Sequence, residues 1–195
     1  MLKIFERYKL KKHLRSNQYQ QAIDILEPKA KEGNSNAAFR MGLIYSMSMT
    51  DINDNDAFLA EKWFAKAAMA DHVQAQSMLG DLYAMQVNDF VKLNRALKWY
   101  NKARQHGDVE SGRKLACLYM CNRENINIEV NATGLLLEAA YKGDYKSAVL
   151  LAWCYKKGVL GLSADLSRFQ YWWSKIKKMK KIYNHSPSLT QLTFS

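Results

Sequence analysis

Few residues in this sequence have the type and spacing that chemistry requires. Cys117 and Cys121 stand four apart, which places two thiols on one face of a helix, while Cys154 is distant in sequence. A structural zinc site needs further Cys or His at matched spacing. No His stands near the pair, and His13, His72, His106 and His185 are scattered. An odd number of thiols without framework spacing fits a reducing compartment or inert core thiols. The run Thr50-Asp51-Ile52-Asn53-Asp54-Asn55-Asp56 alternates oxygen ligands as a calcium loop does. It lacks the turn glycine and the later bidentate glutamate, so it reads as a polar loop capping the helix after it. There is no nucleophile elbow, no phosphate-binding glycine loop, no His-Glu-x-x-His and no Cys-x-x-Cys. The expectation is a binding protein with no enzymatic activity, no cofactor and no metal.

The elements that carry these residues follow from composition and periodicity. The chain has 195 residues, 48% hydrophobic and 24% charged, which is ordinary globular composition and argues against disorder. Two prolines and nine glycines are too few turn-formers for an all-β sandwich. No apolar run reaches the length of a transmembrane helix. Met1 to Arg15 is charged throughout and has no apolar h-region, so no secretory leader and a cytoplasmic location are expected.

Charge is uneven. Lys and Arg number 29 and Asp and Glu 18, a net +11. Residues 1–15 carry six cations against Glu6, and residues 168–195 carry Arg168, Lys175, Lys177, Lys178, Lys180 and Lys181 with no acid. The two ends therefore hold the whole excess. Two readings fit: lysines that keep end helices soluble, or a basic surface for an acidic protein, nucleic acid or an anionic membrane.

One pattern recurs four times. It reads Ala37-Ala38-Phe39-Arg40-Met41-Gly42-Leu43-Ile44-Tyr45, then Ala75 to Tyr83, Ser111 to Tyr119 and Ser147 to Tyr155, so the tyrosines step by 38, 36 and 36. A second pattern follows each copy: Ala60-x-x-Trp63-Phe64, Ala96-x-x-Trp99-Tyr100, Ala132-x-x-Leu135-Leu136 and a degraded Phe169-x-x-Trp172-Trp173-x-x-Ile176. Apolar residues at i, i+3, i+4 and i+7 define one helix face in each. The small residues Gly42, Gly80, Ala116 and Ala152 let the two helices of a pair approach closely, with an aromatic in the groove. Gly33-Asn34, Gly107-Asp108 and Gly143-Asp144 fit left-handed helix stops, and Asp71-His72 lacks the glycine.

The expected fold is all-α: a right-handed α-solenoid of about five antiparallel pairs, ten helices in all. Helices are expected over 2–16, 18–32, 36–48, 57–71, 73–86, 92–106, 109–121, 130–142, 145–157 and 166–183. Residues 1–34 would form a capping pair, 35–183 four repeats of one domain, and 184–195 a loose tail. Pro28 is expected to kink its helix.

Leu79-Gly80, Tyr83, Ala96, Trp99, Tyr100, Lys102, Ala103 and Gly107 resemble the repeat of the Sel-like repeat (SLR) family, a branch of the tetratricopeptide superfamily. The resemblance covers residues 35–177, with a half-match over 18–33. Ala116 and Ala152 depart from its Gly, and only Lys157-Gly158-Val159 is similar to its usual glycine-rich loop. The resemblance implies an interaction scaffold: adaptors in signalling, secretion, envelope assembly and host contact, and in some cases partners that neutralise bacterial toxins.

In stacked helix pairs the first helices line the concave face, so residues of equal register that vary in type are candidates for partner contact. One row is Leu43, Asp81, Cys117 and Trp153. Beside it runs Arg40, Met78, Lys114 and Leu150. Phe39, Ser77, Arg113 and Val149 flank these, with Met47, Met85, Met120 and Lys156 one turn on. Trp and Arg are the residue types that make hot spots, and methionines give an adaptable floor. Packing between repeats is the alternative role for Trp153 and Leu43. Trp63, Trp99 and Trp172 read as core. The expected partner is a protein, in one version a toxin and in another a component of secretion or signalling. Nucleic acid fits less well because the positive charge sits at opposite ends of the sequence.

Overall fold

The computed structural model describes residues 19–48, 54–86, 89–121 and 132–184. The expected helix over 2–16 and, but for Asn184, the expected loose tail lie outside the described residues. Among the described residues there are nine α-helices and no strand. They are α1 (Tyr19–Lys31), α2 (Ser35–Ser48), α3 (Asp54–Met69), α4 (Val73–Ala84), α5 (Phe90–Gln105), α6 (Val109–Cys121), α7 (Ala132–Tyr141), α8 (Tyr145–Lys157) and α9 (Leu166–Asn184). Every bound falls within three residues of the expected one. The largest offset is at α3, which begins at Asp54 rather than Ala57. Part of the supposed capping loop is thus the first helical turn, where acids suit the positive helix end. Pro28 does not interrupt α1: it is exposed, and its carbonyl still accepts the Glu32 N–H at 3.0 Å.

The chain divides into two compact units, Met1–His106 and Gly107–Ser195. Within the first, α1 to α5 pack each on the next, and within the second α6 to α9 do the same. Short connections make neighbours antiparallel.

Close approach within a pair depends on residue size. A Cβ on Gly42 would lie 2.5 Å from the Phe64 ring, and a Cβ on Gly80 would lie 2.6 Å from the Tyr100 ring. Both rings are buried against the bare backbone. In the second unit the corresponding residues are Ala116 and Leu136, a larger first helix residue and a smaller second one, both buried. The fourth copy differs from its sequence alignment. Trp172 is 2% exposed and Trp173 46%. Steps of 36 from Phe64 through Tyr100 and Leu136 end at Trp172, so the Trp-Trp pair sits one residue later than the motif suggests. Trp63 is buried as expected, and Trp99 is half-buried.

The junctions before each first helix repeat one geometry. Gly33, Gly107 and Gly143 have φ of +97°, +95° and +97°. The residue after each caps the next helix: Asn34 accepts from Ala37 N–H, Asp108 from Ser111 N–H and Asp144 from Ser147 N–H. At the fourth junction Asp71 takes the left-handed conformation without being glycine, with φ 56°. Its carboxylate lies 2.8 Å from Lys102 Nζ, which holds the Asp71 carboxyl below its ordinary pKa. Buried Gln76 supports the same corner. Its amide donates to Ala68 O at 3.1 Å, and its oxygen lies 3.0 Å from His106 Nδ1.

His72 is the cap at this junction. Its Nδ1 accepts the Ala75 N–H at 3.2 Å, so the ring proton is on Nε2, which faces Asn36 Oδ1 at 3.3 Å. The ring stacks on Phe39 with centroids 4.5 Å apart. Burial lowers its pKa below 6.5. Protonating Nδ1 would turn the cap acceptor into a second donor. The contribution of His72 is therefore complete above the unfolded value near 6.5 and is lost as pH falls below it. Asn caps as well and does not titrate, so thermal melting between pH 7.5 and 5 should show a smaller acid loss in His72→Asn than in the wild type. Equal losses would remove His72 as the source.

Candidate protein-binding surface

In the first unit most candidate residues are engaged by the fold. Phe39 lies between His72 and Phe64, 4.5 and 5.8 Å from their ring centroids, so it packs one pair against the next. The Asp81 carboxylate accepts the Tyr100 hydroxyl at 2.7 Å. Arg40, Leu43, Ser77 and Met78 are half-buried. Met85, at the end of α4, is 78% exposed.

In the second unit α6 carries Arg113, Lys114, Cys117 and Met120, all half-buried. Arg113 holds Glu110 at 2.9 Å and Asp144 at 3.1 Å, and Lys114 lies 3.8 Å from Glu110. Arg113 therefore braces α6 against the start of α8. Burial pushes the Cys117 thiol up, which keeps it protonated and weakly nucleophilic. Cys154 is buried and its thiol is pushed up in the same way, while Cys121 is exposed. Among the described residues no group of three or more His, Cys, Asp or Glu is placed to hold a metal ion.

The surface about α8 and α9 differs. Trp153 is 49% exposed, and Val149 one turn before it is exposed too. Three residues beyond, Lys156 Nζ lies 5.7 Å from the Phe169 ring of α9. Phe169 stacks on Trp173 with centroids 5.9 Å apart. Leu166, at the start of α9, is 68% exposed. Lys156 thus stands between the exposed Val149 and Trp153 of α8 and the aromatic pair of α9. The sequence pointed to Trp153 and Lys156 but not to Trp173, the exposed neighbour of Trp172, which reads as core and is buried.

A second aromatic group lies on the other flank of α9. Lys175 Nζ is 4.8 Å from the rings of both Tyr141 and Tyr171 and 5.4 Å from that of Trp172. The Lys175 ammonium beside Tyr171 lowers that phenol's pKa, while a hydrogen bond to Tyr171 raises that of Tyr141. This box is filled by the chain's own lysine.

Solved structures share the fold of this chain. The chain superposes on a Sel1 repeat protein from Oxalobacter formigenes with a TM-score of 0.65 at 24% identity over 81% of its length. The fold is that of the Sel1-like repeat. A protective antigen of uropathogenic Escherichia coli displaying an SLR fold matches with a TM-score of 0.64, 22% identity and 86% coverage. The chain spans 64% of the first neighbour and 37% of the second. No protein-family model and no curated protein matches the sequence. The all-α, helix-pair solenoid expected from the repeat is the Sel1-like fold. Among the described residues no helix is long and apolar enough to cross a membrane.

Proposed function

We propose that this Sel1-like repeat chain is a non-catalytic module that binds a protein partner, with the surface around Trp153 as its principal contact. The observation that carries this reading is the half-exposed Trp153 on a helix whose opposite face is buried. Large aromatics standing in water within an apolar patch are what partners cover, and Trp dominates hot spots. The absence of catalytic motifs from the sequence supports a binding role. The sharper form of the proposal is a bacterial immunity protein that neutralises a toxin. A cytoplasmic adaptor or effector-like scaffold in secretion or signalling is the second form, favoured by the resemblance to Sel-like adaptors.

The test is affinity purification of the tagged chain from its native cells, washed at ~0.5 M salt to screen weak charge contacts. One stoichiometric protein is expected with the wild type. Trp153→Ala should weaken its binding by about thirtyfold, the size of a hot-spot loss near 2 kcal/mol. Recovery of nucleic acid or lipid alone, released by salt and indifferent to the substitution, would overturn the proposal and favour the basic ends.

A further inference from the structure

The described acids of the second unit are all engaged by the chain itself. Glu110 pairs with Arg113 and Lys114, Glu138 with Lys142, Asp144 with Arg113 and Asp165 with Arg168. Asp108 caps α6 through Ser111. Among the described residues Lys146, Lys157, Lys177, Lys178 and Lys180 have no ion-pair partner, and all are exposed. The helix α9 contains no acid at all.

The three faces of α9 have separate fates. Trp172, Ile176 and Met179 face inward, and Trp172 and Ile176 are buried. Arg168, Tyr171 and Lys175 are engaged by Tyr155, Asp165, Tyr141 and Trp172. Leu166, Phe169, Trp173, Lys177 and Lys180 recur at steps of 3, 4, 4 and 3, so they form one stripe. That stripe runs from apolar at the helix start to cationic further on, beside Trp153 and Lys156 of α8.

We infer that this stripe docks an acidic amphipathic segment of a protein partner, with apolar side chains on Leu166, Phe169 and Trp173 and carboxylates on Lys177 and Lys180. The inference rests on the protein-binding reading above and gives that partner its chemistry. Charge complementarity selects the occupant: unneutralised lysines at one end of an apolar stripe match carboxylates about two turns from an apolar anchor. A phosphate backbone needs a continuous cationic track with bases stacked along it. Here the exposed rings Trp173 and Tyr171 lie on opposite flanks and Lys175 is already enclosed. A bilayer needs a broad apolar face to insert, whereas the exposed apolar residues of α9 form only a narrow stripe and Trp172 and Ile176 are buried.

The test uses the full chain and fluorescence anisotropy of labelled peptides of about 18 residues, long enough to span α9. One amphipathic peptide is built of Glu and Leu, a second of Glu and Ser, a third of Lys and Leu. Oligothymidylate and phosphatidylcholine vesicles with roughly a third phosphatidylserine serve as the other anionic probes. The Glu/Leu peptide should bind in the micromolar range. Trp173→Ala, and separately the double change Lys177→Glu and Lys180→Glu, should each weaken it by about tenfold. These residues are exposed, and an unchanged melting temperature verifies that the variants fold. The Glu/Ser peptide should bind at least about tenfold more weakly for want of an anchor. Binding of the Glu/Leu peptide indifferent to both variants, or no binding of it, overturns the inference. If the Lys/Leu peptide binds instead and is lost with Trp153→Ala, the acidic chemistry is wrong while the protein-binding reading stands. If only oligothymidylate or vesicles bind, both fall.

Discussion

Replacing Gly80 with Ala should destabilise the first unit by about 1–3 kcal/mol, the usual cost of forcing atoms into a packed core. The new Cβ would meet the Tyr100 ring at 2.6 Å, well inside van der Waals contact. The ring has little freedom to retreat. It is 3% exposed, and its hydroxyl is tied to Asp81 at 2.7 Å. The second unit supplies the rescue, because there Ala116 occurs with Leu136 where the first has Gly80 with Tyr100. Tyr100→Leu in the Gly80→Ala background should therefore restore stability, even though it removes the bond to Asp81. Urea unfolding of the two single variants and the double should give a favourable coupling of about 1–2 kcal/mol. Additive effects would show that Gly80 and Tyr100 do not share one packing constraint.

That constraint explains why the fold can be read from the sequence. Each first helix must carry a small residue where each second helix brings a ring or a Leu, and the need recurs every 36 to 38 residues. Glycine in the left-handed region marks three of the junctions for the same reason, since only glycine takes φ near +97° without strain. The junction at Asp71 and His72 was legible only as an omission. Its replacement parts are an Asp in the left-handed region, a His cap and the buried Gln76, all within residues 71–76, but their partners Lys102, His106 and Asn36 lie 30 to 36 residues away in sequence. Gln76 replaces the small residues Ala38, Gly112 and Ala148 of the other copies, which is the one signal that could have marked it.

The candidate surface is less legible because register tells which helix face a residue occupies, not what occupies the space beside it. Arg113 and Trp153 stand in neighbouring rows and looked alike as hot spots. Arg113 is turned inward to carboxylates, and Trp153 stands in solvent. Trp173 was hidden by the opposite error. Two adjacent tryptophans match an aromatic pair of the motif, but only the 36-residue step decides which one is inside.

Asp144→Ala should destabilise the second unit by about 2–4 kcal/mol, more than the loss of a helix cap alone. Asp144 accepts the Ser147 N–H at 2.8 Å and the Ser147 hydroxyl at 2.6 Å, and it lies 3.1 Å from Arg113 Nε. The two side chains are only 13% and 16% exposed. Removing the carboxylate leaves a largely buried guanidinium with Glu110 as its remaining acid, and breaking such a pair costs more than the pair contributes. Asp144→Asn keeps the cap acceptor and loses the charge, so its loss should fall between the wild type and Ala. Adding Arg113→Met to Asp144→Ala should recover about 1–2 kcal/mol, because no buried charge is left unpaired. Calorimetric melting of the four proteins measures each step. If Asp144→Ala costs no more than about 1 kcal/mol, the value of a cap alone, Arg113 is held loosely enough to turn toward a partner. If it costs the larger amount and Met rescues it, Arg113 is a brace, and a binding defect in Arg113→Ala would report a damaged unit rather than a lost contact.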